Sequence, residues 1–232
     1  MKRIFVPTRT GSDWQRLLAK PELHWKSGRS AMTAAACWDA AGDQLPEEIG
    51  KILTASGAAD LKGLRLLAAL PEWEVALPGG SRSSFTDVLA LATNEVGLCT
   101  IAVEAKAGED FGPTLSTRSL EASPGQQDRI AFLQELLGTR FEGDSRYQML
   151  HRTASAILTA RDFHATSTVM LVHAWKSTSE QRADYEAFAK ALNAEPCGPD
   201  VRVIARQSAP RLYLAWCDGD AKFLQASLPP GT

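Results

Sequence analysis

The sequence predicts an α/β domain: a mixed central sheet flanked by helices, closed by a C-terminal hairpin. Three observations predict it. Segments of two-residue hydrophobic period alternate with longer segments of helical period across the 232 residues. They come in the order helices, three strands, helices, strand, helix, hairpin, which combines antiparallel neighbours with strand–helix–strand crossovers. The composition, 44% hydrophobic and 22% charged, supplies one continuous core and lies far from the disordered or coiled-coil regimes. No internal repeat, low-complexity tract or linker interrupts the chain, so residues 1–232 read as a single domain.

The opening MKRIFVPTRTGSDW is basic, but its apolar run ends at Pro7 after Ile4, Phe5 and Val6, too short for an export signal. Ser30 is placed to cap a helix through AMTAAACWDAA that stops at Gly42, and Pro46 suits the first turn of a second, short helix, PEEIGKIL. EWEVALPGG reads as a strand and a turn, SFTDVLALA as a second strand and LCTIAVEAKA as a third, with residues 94–97 as the hairpin connection between the last two. In the third strand Ile101, Val103 and Ala105 share one face, and Thr100, Ala102, Glu104 and Lys106 share the other.

Residues 108–127, with Pro113 and Pro124, read as a long surface loop. QDRIAFLQELL resumes helix and stops at Gly138. A helix from Arg146 to about Phe163 carries a core stripe of Tyr147, Leu150, Ala154, Ile157 and Leu158, with Gln148, Arg152, Ser155 and Thr159 on another face. STVMLVHAW is a buried-type strand and DYEAFAKAL a helix. VRVIAR and RLYLAWCD form the hairpin, turning around residues 208–210.

Several function classes fall away. With a formal net charge of −2, contact with nucleic acid must come from a local basic patch or a bound cation rather than from the overall field. No run of about 18 apolar residues is present, so a membrane-spanning helix is not expected. Cys37, Cys99, Cys197 and Cys217 form no C-x-x-C pair and read as reduced thiols of a cytoplasmic protein, with Cys37 and Cys99 packed as small hydrophobes. G-x-G-x-x-G, G-x-x-x-x-G-K-[ST], G-x-S-x-G and H-E-x-x-H are all absent. His24, His151, His164 and His173 make no i, i+4 pair, so a zinc site is not expected, and His151 and His173 read as satisfied core or edge histidines.

What stands out is charge inside apolar strands, where an unpaired ion costs several kcal/mol unless a partner or a metal compensates it. Asp87 lies within SFTDVLALA. Glu104 and Lys106 lie two residues apart on one face of the next strand. Asp87 and Glu104 suit adjacent strands of one hairpin, where both carboxylates can meet one hard cation such as Mg²⁺.

An acid on a second strand followed by E-x-K on a third, here Asp87 and Glu104-Ala105-Lys106, resembles the PD-(D/E)XK nuclease superfamily. The order of elements around the motif is similar to that superfamily's restriction-endonuclease-like core, αβββαβ. The chain also resembles an uncharacterised bacterial family of unknown function in LPGG, TDV, VEAK, FGP and RYQMLHRTASA.

The resemblance implies a Mg²⁺ or Mn²⁺ ion held by Asp87, Glu104 and the backbone carbonyl of Ala105, with Lys106 orienting the attacking water. It adds an acid from the first helix, for which Asp39 is the candidate with Glu48 behind it. Gln148 and Arg152 resemble the Q-x-x-x-Y position of exonuclease-like relatives with Arg in place of Tyr; together with Arg82 they are expected to hold substrate phosphate. The activity implied is phosphodiester hydrolysis of nucleic acid, DNA before RNA, with a homodimer as one arrangement. The rival readings are a non-catalytic binding protein that keeps the scaffold and a metal-dependent hydrolase of a small phosphorylated substrate.

Overall fold

The computed structural model describes residues 10–80, 82–120, 122–206 and 208–229. The basic opening read above as too short for export, residues 1–9, lies outside them. In chain order the elements are α1 (Pro21–His24), α2 (Ser30–Ala41), α3 (Glu47–Ala55), β1 (Arg65–Val75), β2 (Ser84–Thr93), β3 (Leu98–Lys106), α4 (Leu115–Leu120), α5 (Pro124–Leu137), α6 (Tyr147–Asp162), β4 (Ser167–Ala174), α7 (Ser179–Ala191), β5 (Glu195–Pro196), β6 (Val201–Ile204) and β7 (Arg211–Asp218).

β4 is buried at every position, which a strand achieves only in the middle of a sheet covered on both faces. The seven strands lie in the order β1-β2-β3-β4-β7-β6-β5. β1, β2 and β3 form an antiparallel meander, β3, β4 and β7 run parallel, and β6 and β5 continue antiparallel. The C-terminal hairpin therefore does not sit at an edge: β7 inserts beside β4, and its partner β6 lies outside it.

Each face of the sheet has its own core. Leu89 and Ala102 belong to the face covered by α5, α6 and α7 through Leu133, Leu150, Ile157 and Phe188. Val88, Val103, Ala105 and Leu171 belong to the face covered by α2, α3 and the N-terminal segment through Trp14, Trp25, Ala35 and Leu53. The alternation read in β3 is thus real on both sides, with small residues where the helices approach.

The boundaries depart from the reading in three places. Arg29, not Ser30, is the residue flanking α2, and its side chain does not cap that end, where Glu109 Oε1 accepts the Ser30 amide at 3.3 Å; Gly42 does terminate the helix, at φ +64°. β1 begins at Arg65, well before EWEV, because the run RLLAALP is an edge strand in which Pro71 costs no inner ladder bond. The expected loop 108–127 contains α4 and the start of α5, which is fixed by a capping box between Ser123 and Gln126 with Pro124 at the first position. All four cysteines are free, and no helix among the described residues is long and apolar enough to cross a membrane.

Candidate active site

Strand register assembles the site. β1 and β2 pair through Pro71↔Val88 and Trp73↔Thr86, so Glu72 falls opposite Asp87. β2 and β3 pair as far as Val88↔Val103, and one step further sets Asp87 opposite Glu104. Three carboxylates therefore stand abreast on three neighbouring strands, with Lys106 two residues past Glu104. Glu72 adopts φ +51°, a left-handed conformation uncommon for a residue with a Cβ.

Asp87 Oδ2 accepts the backbone amide of Ala105 at 2.7 Å, which brings its carboxylate to the residue between Glu104 and Lys106. Glu104 is buried and surrounded. Its Oε1 lies 3.0 Å from Lys106 Nζ and accepts Gln148 Nε2 at 2.7 Å, while Oε2 accepts Arg152 Nε in a short ion-paired bond. Lys106 also donates to Gln148 Oε1 at 2.9 Å. Arg152 Nη1 continues to Ser84 Oγ at 3.0 Å, and that hydroxyl lies 3.0 Å from His151 Nδ1.

Charge is unevenly shared in this cluster. Burial opposes ionisation of Glu104, but Arg152 and Lys106 outweigh it and bring its carboxyl down to about 2. Burial, reinforced by Glu104, pushes Asp87 up to about 7. Burial and Asp87 push Glu72 up to about 8. Burial beside Arg152 holds His151 down at about 3, so its ring is neutral. Three acids face two cations, and the shortage of positive charge falls on Asp87 and Glu72.

Two spaces border the cluster. Lys106, Gln148, Arg152, His151, Ser84 and Arg118 line part of an open groove of about 520 Å³. On the other side Glu72 and Asp87 line a small space of about 10 Å³ under Trp14, Trp25 and α2.

The structure thus brings together Asp87, Glu104, Ala105, Lys106, Gln148 and Arg152. It assigns Gln148 and Arg152 a role the spacing did not give: both engage Glu104, so their first partner is a protein carboxylate. Asp39 is elsewhere, exposed at the end of α2 with Oδ1 accepting the Gly11 amide at 2.9 Å. Glu48 is on the opposite face of the sheet, 3.3 Å from His173 Nε2. Arg82 is exposed, and its carbonyl accepts Arg129 Nη1 at 2.6 Å.

Sequence reasoning passed over Glu72, although a charge inside EWEV was its available signal. It also passed over Arg129, whose buried guanidinium donates to the carbonyls of Leu77, Pro78, Gly80 and Arg82 and holds the glycine-rich turn before β2.

The family profile described as "Domain of unknown function (DUF6946)" matches residues 7–221. No curated protein and no solved structure matches the chain.

Proposed function

The chain belongs to this family of unknown function, and we propose that it is a metal-dependent phosphodiesterase acting on nucleic acid, DNA before RNA, on a restriction-endonuclease-like core. The observation that carries this reading is the row Glu72, Asp87 and Glu104 with Lys106 beside it; Lys106 in turn lines a groove that also presents Arg118 and Arg152.

The donor set fits Mg²⁺ or Mn²⁺. All the ligating atoms are hard oxygens. Asp87 and Glu72 lack compensating charge, and the space of about 10 Å³ that they line is at the lower limit for one water-sized occupant. Asp87 spends only Oδ2 on Ala105, leaving Oδ1 for a cation. In a strand a residue's N–H and C=O point to the same side, so the Ala105 carbonyl also turns toward Asp87. A bound ion would polarise the scissile phosphate and acidify the attacking water.

The chain's own residues supply the rest. Lys106, released from Gln148, orients the nucleophile and balances the charge developing on phosphate. Arg118 and Arg152 face the groove as phosphate-binding guanidinium groups. Glu104 stays ionised throughout, since two cations hold it so.

A second reading has one observation in its favour. Both oxygens of Glu104 are already satisfied by Lys106, Gln148 and Arg152, so this half of the cluster is balanced with no ion present. On that reading the groove retains phosphate backbones without cutting them.

Plasmid, linear and single-stranded DNA and RNA, incubated with the protein and Mn²⁺ or with a chelator, separate the two. Cleavage that requires Mn²⁺ and disappears in Asp87→Asn and Lys106→Met is the expected result. Retardation of nucleic acid that is never consumed selects the second reading, and cleavage persisting in both variants overturns the assignment of these residues.

A further inference from the structure

On the face of the sheet covered by α2 and α3, away from the partners of Glu104 on α6, lies a second cluster of a different chemistry. Cys37 of α2, Glu48 of α3 and His173 of β4 bring Sγ, a carboxylate oxygen and a ring nitrogen within 4.8 Å of one another. Cys37 Sγ is 3.5 Å from Glu48 Oε1, and the same oxygen is 3.3 Å from His173 Nε2. Ligand atoms bound to one tetrahedral ion at bond lengths of about 2.0–2.3 Å stand roughly 3.3–3.8 Å apart. Both contacts fall in that window and share Oε1 as their common vertex.

His173 provides the independent observation. It is 0% exposed; Nδ1 has no hydrogen-bond partner among the described residues, and Nε2 meets only the Glu48 carboxylate, at 3.3 Å. Buried imidazole nitrogens are nearly always paired with protein, water or metal. Contact with the Trp175 ring, centroids 4.0 Å apart, accounts for the ring's faces but not for its nitrogens.

We infer that Cys37, Glu48 and His173 form a binding site for a thiophilic divalent cation, Zn²⁺ above all, that ties α2 and α3 to the centre of the sheet. Thiol and imidazole donors select Zn²⁺ over the Mg²⁺ or Mn²⁺ suited to the oxygen-only row. Without the ion, burial and then the Glu48 carboxylate hold the Cys37 thiol protonated. The thiol therefore gives up its proton to solvent as the sulfur–metal bond forms. The site is independent of the activity proposed above.

The test uses the full chain, stripped with a chelator and titrated with Co²⁺ as a spectroscopic stand-in for Zn²⁺. One equivalent should produce a thiolate-to-cobalt charge-transfer band in the near ultraviolet, which excess Zn²⁺ abolishes. The band should be lost in Cys37→Ala and His173→Ala and kept in Cys197→Ala and in Asp87→Asn, whose site has no sulfur. Should the first two variants not fold, alkylation of wild-type Cys37 decides: Zn²⁺ must protect it against the stripped protein under the same partly denaturing conditions. Absence of the band in wild type, its survival in folded Cys37→Ala or His173→Ala, or alkylation of Cys37 unaffected by Zn²⁺ overturns the proposal.

Discussion

Asp87 Oδ2 and the amide of Ala105, 2.7 Å apart, make a side-chain bond where the β2–β3 ladder would otherwise place a backbone one. The backbone pairs end at Val88↔Val103, and the carboxylate takes over at the next position. A ladder bond made by a side chain commits one oxygen and leaves the other uncommitted, at the point where Glu72 and Glu104 converge.

That division predicts how Asp87 variants behave. Asp87→Asn keeps an oxygen for the Ala105 amide and removes the negative charge, so thermal stability should stay within about 1 kcal/mol of wild type. Mn²⁺-dependent cleavage should fall at least about 100-fold, the scale on which one transition-state electrostatic contact is lost. Asp87→Ala should lose activity equally and also cost about 1–3 kcal/mol, because it leaves the buried amide without an acceptor. Thermal melts run beside cleavage assays check both.

The raised acids set a pH dependence. Asp87 at about 7 and Glu72 at about 8 lie above ordinary carboxylates, so between roughly pH 4 and 8 the folded state binds more protons here than the unfolded chain. Their contribution to stability is full below about pH 4 and is lost as pH rises through 7 to 8. Glu104, at about 2, has the opposite sign and loses its contribution only as pH falls from about 4.5 toward 2. Relative to the double variant Glu72→Gln/Asp87→Asn, the wild type should therefore lose stability between pH 5 and 8.5, and Mn²⁺ should restore it at pH 8.5 in the wild type only. Parallel curves for the two proteins across that range would refute the shared-charge account.

Legibility in the sequence tracked distance along the chain. Glu104 and Lys106 were visible because a strand's two-residue period puts them on one face without help from any other element. Gln148 and Arg152 were correctly read as one helical face, but their partner lies over 40 residues away, so nothing local could show that they reach Glu104 rather than a ligand. α4 is too short, at six residues, for a period to register. Glu72 was hidden by its strand: RLLAALP is apolar without alternation, a pattern that a helix and a strand share. Cys37, Glu48 and His173 come from three elements joined only by folding, and a search for paired histidines cannot find a site with one.

Arg152 is the pivot of the charge network, and its loss should be felt in stability first. Arg152→Ala leaves Glu104 buried with Lys106 as its only cation and removes the donor to Ser84, a break of the kind that costs about 3–5 kcal/mol. Arg152→Lys should recover little of it, since an ammonium group cannot span Glu104 and Ser84 in one plane as the guanidinium does. Chemical denaturation of the three proteins at pH 7 measures the difference; a Lys variant within about 1 kcal/mol of wild type would show that charge alone suffices.

The turn before β2 gives a prediction independent of any ligand. Gly79 has φ +71°, and a Cβ there would stand 2.2 Å from the Gly125 carbonyl oxygen and 2.8 Å from the Arg129 amide. Gly79→Ala therefore meets both an unfavourable backbone region and rigid main-chain atoms at the start of α5, and should cost at least about 2 kcal/mol. Arg129→Met keeps the aliphatic stem but leaves the carbonyls of Leu77, Pro78, Gly80 and Arg82 without their donor. It should cost about as much by a different route and expose the turn to proteolysis. Because both changes loosen the segment that carries Ser84 into the groove, each should lower cleavage more than it lowers Mn²⁺ affinity at the acid row. A variant that lost Mn²⁺ binding while keeping its melting temperature would break that link between the turn and the site.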